Sequence, residues 1–445
     1  VNESVLDGKK KDKGVRFMVI LEKRKRQVRR KEMAVMIIVA VLALLLWGCG
    51  KQETISFNGE IESVSEGAIL LKNIEAGSFG RASVDFGEAE YDFVPEEGQF
   101  IEVTALPEIR ESDPVQVTAV KLTLKKDAEK KISDYFPMEK DNKYEYEGAG
   151  NEYASYESYT DYADKNRMQQ MVNNGGTVSA RVYELKDGKL TSIYNRGEVY
   201  YRENMLDQSD GSGEVLLMEP LKEGTSWNLK DGRQRTITKV SAEVKTPMGT
   251  YPAIEVLTEG GEGTNIDYYA KNIGLIKTLY QTGGLEVSSS LKSIEKNASR
   301  NETVRFYYPD RKSGKLSYVS KEVSYHTNDV TAQVLEKQYK EAVNENLGVV
   351  LTTNAAIKSL QLDSENQVRI DMNKAFLEGM NAGAGYEEAI LNCIANTFGQ
   401  YYRSNGVILS VEGEPYSSGH IIMKEGEVLP VDPDNIQKRA DPSEE

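Results

Sequence analysis

The chain has 445 residues, 55 Lys/Arg against 70 Asp/Glu, and a formal net charge of −15. That balance repels nucleic acid and anionic lipid head groups and excludes both as electrostatic partners. Two cysteines and two histidines leave little for disulfides, His-based catalysis or metal ligation.

The first element is an unbroken apolar run, Met33 to Trp47, behind the basic stretch "EKRKRQVRRKE". As a helix it would span roughly 22 Å, short of a ~30 Å hydrocarbon core, and it has no polar face for a core helix. A basic segment, an apolar stretch and then small residues is the layout of a secretory signal peptide. Val1 is not Met and residues 1–17 are polar, whereas Met18 gives a conventional start, so residues 1–17 are set aside from the fold.

Leu46, Trp47, Gly48 and Cys49 follow, with Gly50 after the cysteine. This resembles the lipobox of bacterial lipoproteins, with a bulkier Trp47 than is usual at its position. The resemblance implies cleavage between Gly48 and Cys49 and a diacylglyceryl group on the Cys49 sulfur. Two acyl chains anchor firmly, because each buried CH₂ contributes about 0.8 kcal/mol. The alternative is an uncleaved single-pass anchor. Either way the remaining chain lies at the extracytoplasmic face of a cell membrane. The first 48 residues carry 12 Lys/Arg and 5 Asp/Glu, so the remaining 397 carry −22. Cys393 is then the only free thiol, which fits export in a Gram-positive bacterium.

The predicted organisation is a leader over 1–48, an anchored linker over 49–54, an OB-like β domain over 55–125, a β-rich middle domain over 131–295, an α+β domain over 302–428 and a tail over 429–445. In 55–125 five short alternating segments suit a small, partly open barrel. Its aromatics Phe79, Phe86, Tyr91, Phe93 and Phe100 stand among carboxylates and are expected in its core. The turn at Ser112, Asp113 and Pro114 resembles small OB-like modules of Firmicute envelope lipoproteins.

After the charged linker "KKDAEKK", Tyr144 and Tyr146 alternate with charges as on a half-buried strand. Tyr153, Tyr156, Tyr159 and Tyr162 recur every third residue, a period of neither strand nor helix. A tyrosine row can form a carbohydrate platform or pack strand edges. Segments from "LTSIYNRGEVYYRE" to "GLEVSSSLKSI" read as a curved antiparallel sheet. "LKEGTSW", "TPMGTYPAIEV" and "DYYAKNIGLIK" resemble a β-rich lipoprotein module, with Gly224, Gly249 and Gly274 at bends and Trp227 in the core.

From Thr303 the pattern becomes β(β)-α-β-β-α-β, a split βαβ order. The first helix turns Val330, Val334, Leu335 and Gln338 to one face after an Asn328/Asp329 start. A hairpin turns at Ser364–Asn366. A second helix carries Ile390, Leu391, Ile394, Phe398 and Tyr401 or Tyr402. Phe306-Tyr307-Tyr308-Pro309-Asp310, Leu347-Gly348, Val368, Ile370, Asp371, Phe376, Asn396-Thr397 and Val411-Glu412-Gly413 together resemble the GerMN domain of sporulation and germination lipoproteins in spore-forming Firmicutes. That resemblance implies a ring-building type of module, a role in protein assembly with envelope or sporulation partners, and no catalytic residue or cofactor. The alternatives are a binder of wall glycan or a small ligand and, third, a hydrolase.

Enzyme motifs are weak. Gly383 and Gly385 precede a helix, but Glu388 stands where a third glycine would be, and acidic residues there repel phosphate. Cys393 lies on the apolar stripe of its helix, as a buried inert thiol does. Ser417, Ser418 and His420 are neighbours in sequence only, and His326 is a plain polar residue before a helix. Residues 431–435 lack the glycine and distal Glu of a Ca²⁺ loop.

Overall fold

The computed structural model describes residues 53–75, 79–211, 213–341, 344–380 and 382–432 and the short strand 436–438. It divides into two compact units, ending at Glu129 and starting at Lys130.

In the first unit β1 (Ile55–Ser65), β2 (Ala68–Glu75), β3 (Ala82–Asp85), β4 (Phe100–Ala105) and β5 (Val115–Lys126) form a closed barrel in the order β1-β2-β3-β5-β4. The sequence suggested a partly open barrel. Closure comes from β1, which pairs β4 from Ile55↔Ala105 to Glu60↔Phe100 and pairs β2 on its other edge. Register shifts at Asn58/Glu60 and Ile61/Ser63 let one long strand bend between both neighbours. Alternation along β4 sends Ile101, Val103 and Ala105 inward and leaves Phe100 half-buried outside. Of the aromatics expected inside, Phe86 is buried, Phe79 and Phe93 pack at the rim, and Tyr91 is exposed.

The second unit opens with α1 (Ile132–Tyr135), a single helical turn. Twelve strands follow: β6 (Asn142–Ala149), β7 (Tyr156–Ala163), β8 (Arg167–Asn173), β9 (Val178–Lys186), β10 (Lys189–Arg196) and β11 (Glu214–Met218); then β12 (Ser226–Asn228), β13 (Gln234–Thr246), β14 (Gly249–Glu259), β15 (Thr264–Ala270), β16 (Gly274–Thr282) and β17 (Leu285–Lys296). They make one antiparallel sheet of two meanders, 6–11 and 12–17, joined where β6 pairs β17. The sheet curls around α1. Ile132, Tyr135 and Phe136 share a core with Leu190, Trp227 and Ile254, as predicted for Trp227. The two terminal strands meet through side chains: Trp227 Nε1 donates to Val215 O (3.0 Å) and Arg235 Nη1 to the same carbonyl (2.7 Å). These bonds cover a sheet edge that would otherwise offer free backbone groups.

The tyrosine period of three has a local cause. In the β7–β8 pairing Thr160 faces Gln170 and Tyr162 faces Gln169, so Asp161 is the extra residue of a bulge. The bulge returns Tyr162 to the face of Tyr159, while Tyr156 and Ser158 point to the concave side. Strand β7 is buried from Ser158 to Ala163 because both its faces are covered.

The outer cover is the C-terminal region. β18 (Arg300–Pro309) and β19 (Leu316–Tyr325) form a hairpin, and Ile436–Lys438 (β25) adds to β19 in parallel. Helix α2 (Thr331–Lys340) follows, then β20 (Ile357–Leu362), β21 (Val368–Met372), α3 (Ala375–Met380), α4 (Ala384–Tyr401), β22 (Gly406–Val411), β23 (Glu414–Pro415) and β24 (Leu429–Pro430). Strands β21 and β22 pair in parallel across the α3–α4 crossover. The hairpin β18–β19 belongs to a different sheet from β20–β23, so the order is not a single split sheet. Helix α4 lies between the two sheets, and Cys393, Ala395, Asn396, Thr397 and Gly399 are buried beside the expected stripe. In α2 the buried residues are Thr331, Ala332, Leu335 and Tyr339; Val330 is 53% exposed, a correction to the expected face. The expected tail supplies β24 and β25, and Asn396 Oδ1 accepts from Asp432 N (2.8 Å).

Candidate functional site

The C-terminal region presents one open sheet face. Along β21, Val368, Ile370 and Met372 point into the core, and along β22 so do Val407, Leu409 and Val411. The alternate residues face outward and carry polar pairs. Arg369 Nε meets Asp363 (2.8 Å), Lys358 Nζ meets Glu412 (2.7 Å), and Ser410 donates to Asp371 (2.7 Å). Hydrogen bonding to Lys358 and to the Lys374 amide holds the Glu412 carboxyl below its usual range. These pairs lie at or near the surface, where solvent screens them, and stay available to a partner.

What fixes this face in space is the seam behind it. One core runs from Tyr162, Met171, Ala180 and Val182 on the large sheet into Phe306, Tyr325, Leu335 and Phe398. At its centre Arg202 is fully buried. Its Nη1 donates to Tyr162 Oη (2.7 Å), Thr331 Oγ1 (3.1 Å) and the Asp329 carbonyl. Its Nη2 donates to the carbonyls of Asp161 (2.9 Å) and His326 (3.0 Å). The guanidinium lies over the Tyr162 ring at 4.1 Å and near Tyr325 at 5.1 Å. Asp161, the bulge residue, is also fully buried and pairs with Arg300, which in turn pairs with Glu302. Burial raises the Glu302 carboxyl against the pull of Arg300. Burial alone would lower the Arg300 pKa, but Asp161 and Glu302 hold it above its usual value. Asn328 completes the clamp: its side-chain amide accepts from Ala163 N and donates to Ala163 O, both at 2.8 Å, as a strand neighbour would.

The tyrosine row belongs to this seam and to the concave core, not to an open platform. Tyr144, Tyr146, Tyr159 and Tyr162 are buried, and only Tyr153 is exposed. Tyr159 Oη donates to the carbonyls of Ala298 (3.1 Å) and Tyr325 (3.2 Å). Ser418 donates to Glu387, as does Tyr416 Oη (2.8 Å), while His420 meets Ser418 only through its backbone amide. That is a structural turn. Cys393 is buried, and burial pushes its thiol well up. Among the described residues no group of three or more His, Cys, Asp or Glu is placed to hold a metal ion. Gly48 and Cys49, the expected cleavage and lipidation site, lie outside the described residues. No described helix is long and apolar enough to cross a membrane. Sequence reasoning missed Arg202, Asp161 and Arg300; the period-three tyrosines were the one signal of the bulge that places Asp161.

A β-rich, multi-unit protein whose C-terminal region carries a polar open sheet is the class these features define. Residues 305–417 match the family described as Germane, sporulation and spore germination, so the chain carries a GerM-like domain there. Comparison with curated proteins returns no match. Among solved structures, the chain is similar to the tandem GerMN domains of the sporulation protein GerM from Bacillus subtilis, at 14% identity and TM-score 0.24, over 29% of this chain and 46% of that one. The first GerMN domain alone gives 15% identity and TM-score 0.22, over 27% of this chain and 94% of that one. A provisionally assigned exported protein with a YmcC-like fold from Bacteroides fragilis gives 14% identity and TM-score 0.22, over 36% of this chain and 99% of that one. The chain thus spans about half the length of the tandem-domain protein.

Proposed function

We propose that the protein is a non-enzymatic, lipid-anchored envelope protein at the extracytoplasmic face of a Gram-positive cell membrane, acting in protein docking during sporulation or spore germination. The family match over 305–417 carries this reading. The open β20–β22 face supports it, because its surface charges can orient a protein partner of complementary charge. Cys49 serves as the diacylated anchor after cleavage at Gly48, and the acidic remainder contributes no attraction to anionic lipid. The barrel is OB-like in strand order and acts as a spacer or accessory module. A glycan platform on the tyrosine row is not favoured, since Tyr159 and Tyr162 are buried and leave only Tyr153 exposed.

The test is a photo-cross-linker placed at Arg369 in cells expressing the membrane-anchored protein. A discrete envelope-protein adduct that appears as cells enter sporulation supports docking. No adduct from Arg369, alongside an unchanged sporulation and germination yield on gene deletion, sinks it. Metabolic labelling with a fatty-acid analogue reads the anchor separately: Cys49→Ala should abolish the label and release the protein.

A further inference from the structure

On the concave side of the large sheet the apolar lining is interrupted. Where β6 to β9 lie side by side, their inward residues include Tyr146, Tyr156, Ser158, Gln170, Arg181 and Tyr183. Phe136 and Pro137 after α1 cover this patch from one side, and Ile273 to Leu275 cover it from another. The recess between them has an empty volume of about 490 Å³ including its open mouth, within which the centre of a water-sized molecule can range over about 50 Å³. That range is several times the minimum needed for one water.

Arg181 has the Tyr183 hydroxyl as a hydrogen-bond partner but no carboxylate within ion-pair distance among the described residues, and its Nε is enclosed and makes no hydrogen bond. Its register partner across β8 is the neutral Gln170, and across β10 the neutral Asn195. A cation in such a place is costly unless an anion joins it. The buried Arg202 and Arg235 and the half-buried Arg300 of this unit each face a carboxylate, Asp161 for Arg202 and Arg300 and Glu214 for Arg235. The walls are equally specific. Tyr146 and Tyr156 stack face to face with centroids 4.3 Å apart, and Tyr146 Oη is already committed to the Leu275 carbonyl. Flat rings flanking a guanidinium edge suit a planar group, and a carboxylate presents two coplanar oxygens to such an edge. A recess with apolar walls and a few converging polar groups is the usual form of a small-molecule site.

We propose that this recess binds a small organic carboxylate, its carboxylate on Arg181 and its apolar body against Phe136 and the tyrosine pair. The site is on the opposite face of the sheet from the Arg202 seam and does not depend on the docking role.

The experiment is calorimetric titration of the purified chain, without its lipid anchor, with sodium benzoate, and with benzamide and inorganic phosphate as comparators. Saturable binding of benzoate with no binding of benzamide is expected. Arg181→Met should lose about tenfold or more in affinity, the scale of one charge-assisted hydrogen bond, and should melt no lower than the parent because a cation with no anionic partner has been removed. Ser158→Leu, which fills the recess while keeping Arg181, should weaken benzoate to a similar degree and covers the case in which Arg181→Met does not fold. Absence of saturable benzoate binding to the parent chain, benzamide binding equal to benzoate, phosphate binding in its place, or unchanged benzoate affinity in Arg181→Met or Ser158→Leu would each overturn the proposal.

Discussion

Replacing Arg202 by Met tests the seam most directly. The methionine keeps apolar contact between the Tyr162 and Tyr325 rings but removes every polar contact of the guanidinium. Asp161 then keeps only Arg300 as a cationic partner, and the carbonyls of Asp161, His326 and Asp329 each lose a donor. Breaking a buried pair by removing one member costs about 3–5 kcal/mol. Unfolding entropy near 2 cal/mol/K per residue, applied to the unit that starts at Lys130, converts this to a fall in Tm of roughly 5–8 °C. Differential scanning calorimetry on the anchor-free chain reads it, with intrinsic tyrosine fluorescence as a second probe. Asp161→Asn should cost at least as much, since two guanidiniums lose their shared anion. A double-mutant cycle should show a coupling of about 0.5–3 kcal/mol between the two positions. If Arg202→Met melts within about 1 °C of the parent, the buried network does not hold the C-terminal region on the sheet.

Other consequences are as definite. A Cβ on Gly399 would stand 2.1 Å from Val431 Cγ2, so Gly399→Ala should cost about 1–3 kcal/mol by overpacking, and Val431→Ala should restore much of it in thermal melts. Burial raises the Asp267 carboxyl, with Arg235 and the Thr278 hydroxyl pulling the other way. Its folded pKa lies above the unfolded one, so ionised Asp267 costs stability above that folded pKa, and the cost is relieved as pH falls through it. Asp267→Asn should therefore raise Tm at pH 7 and lose its advantage in acid, as melts across a pH series would show. Cys393 should react with a maleimide only when the chain opens, roughly a thousandfold or more slower in buffer than in urea, and fast labelling of the folded chain would contradict its burial. Arg235→Leu should speed hydrogen exchange across Glu214–Met218 more than elsewhere, because the Val215 carbonyl loses one of its two cross-edge donors and Glu214 its nearest guanidinium.

Several features follow from neighbours in the sequence alone. Period-two alternation specifies β4 and β6, because inward and outward side chains meet different solvents whatever the strand's partners are. The turn after β20 is local too: Asp363 Oδ1 accepts from the amides of Glu365 and Gln367, and Asn366 takes the left-handed conformation that its short polar side chain tolerates. The stripe of α4 and the inert setting of Cys393 follow from helical spacing. Tertiary structure decided what lies beyond the range of such patterns. Only the union of β6 with β17 turns two meanders into one curled sheet with a buried convex patch. Only that patch explains why Asp161 and Arg202, charged in the sequence, are as fully buried as the apolar residues of the seam. It is also why Val330 faces solvent while Tyr339 is buried, since α2 is oriented by the Asn328–Ala163 clamp rather than by its own apolar pattern. Register, closure and burial depend on contacts between residues far apart in the sequence, from 50 positions for Ile55 and Ala105 to 139 for Asp161 and Arg300, and their free energy appears only when both partners are already in place.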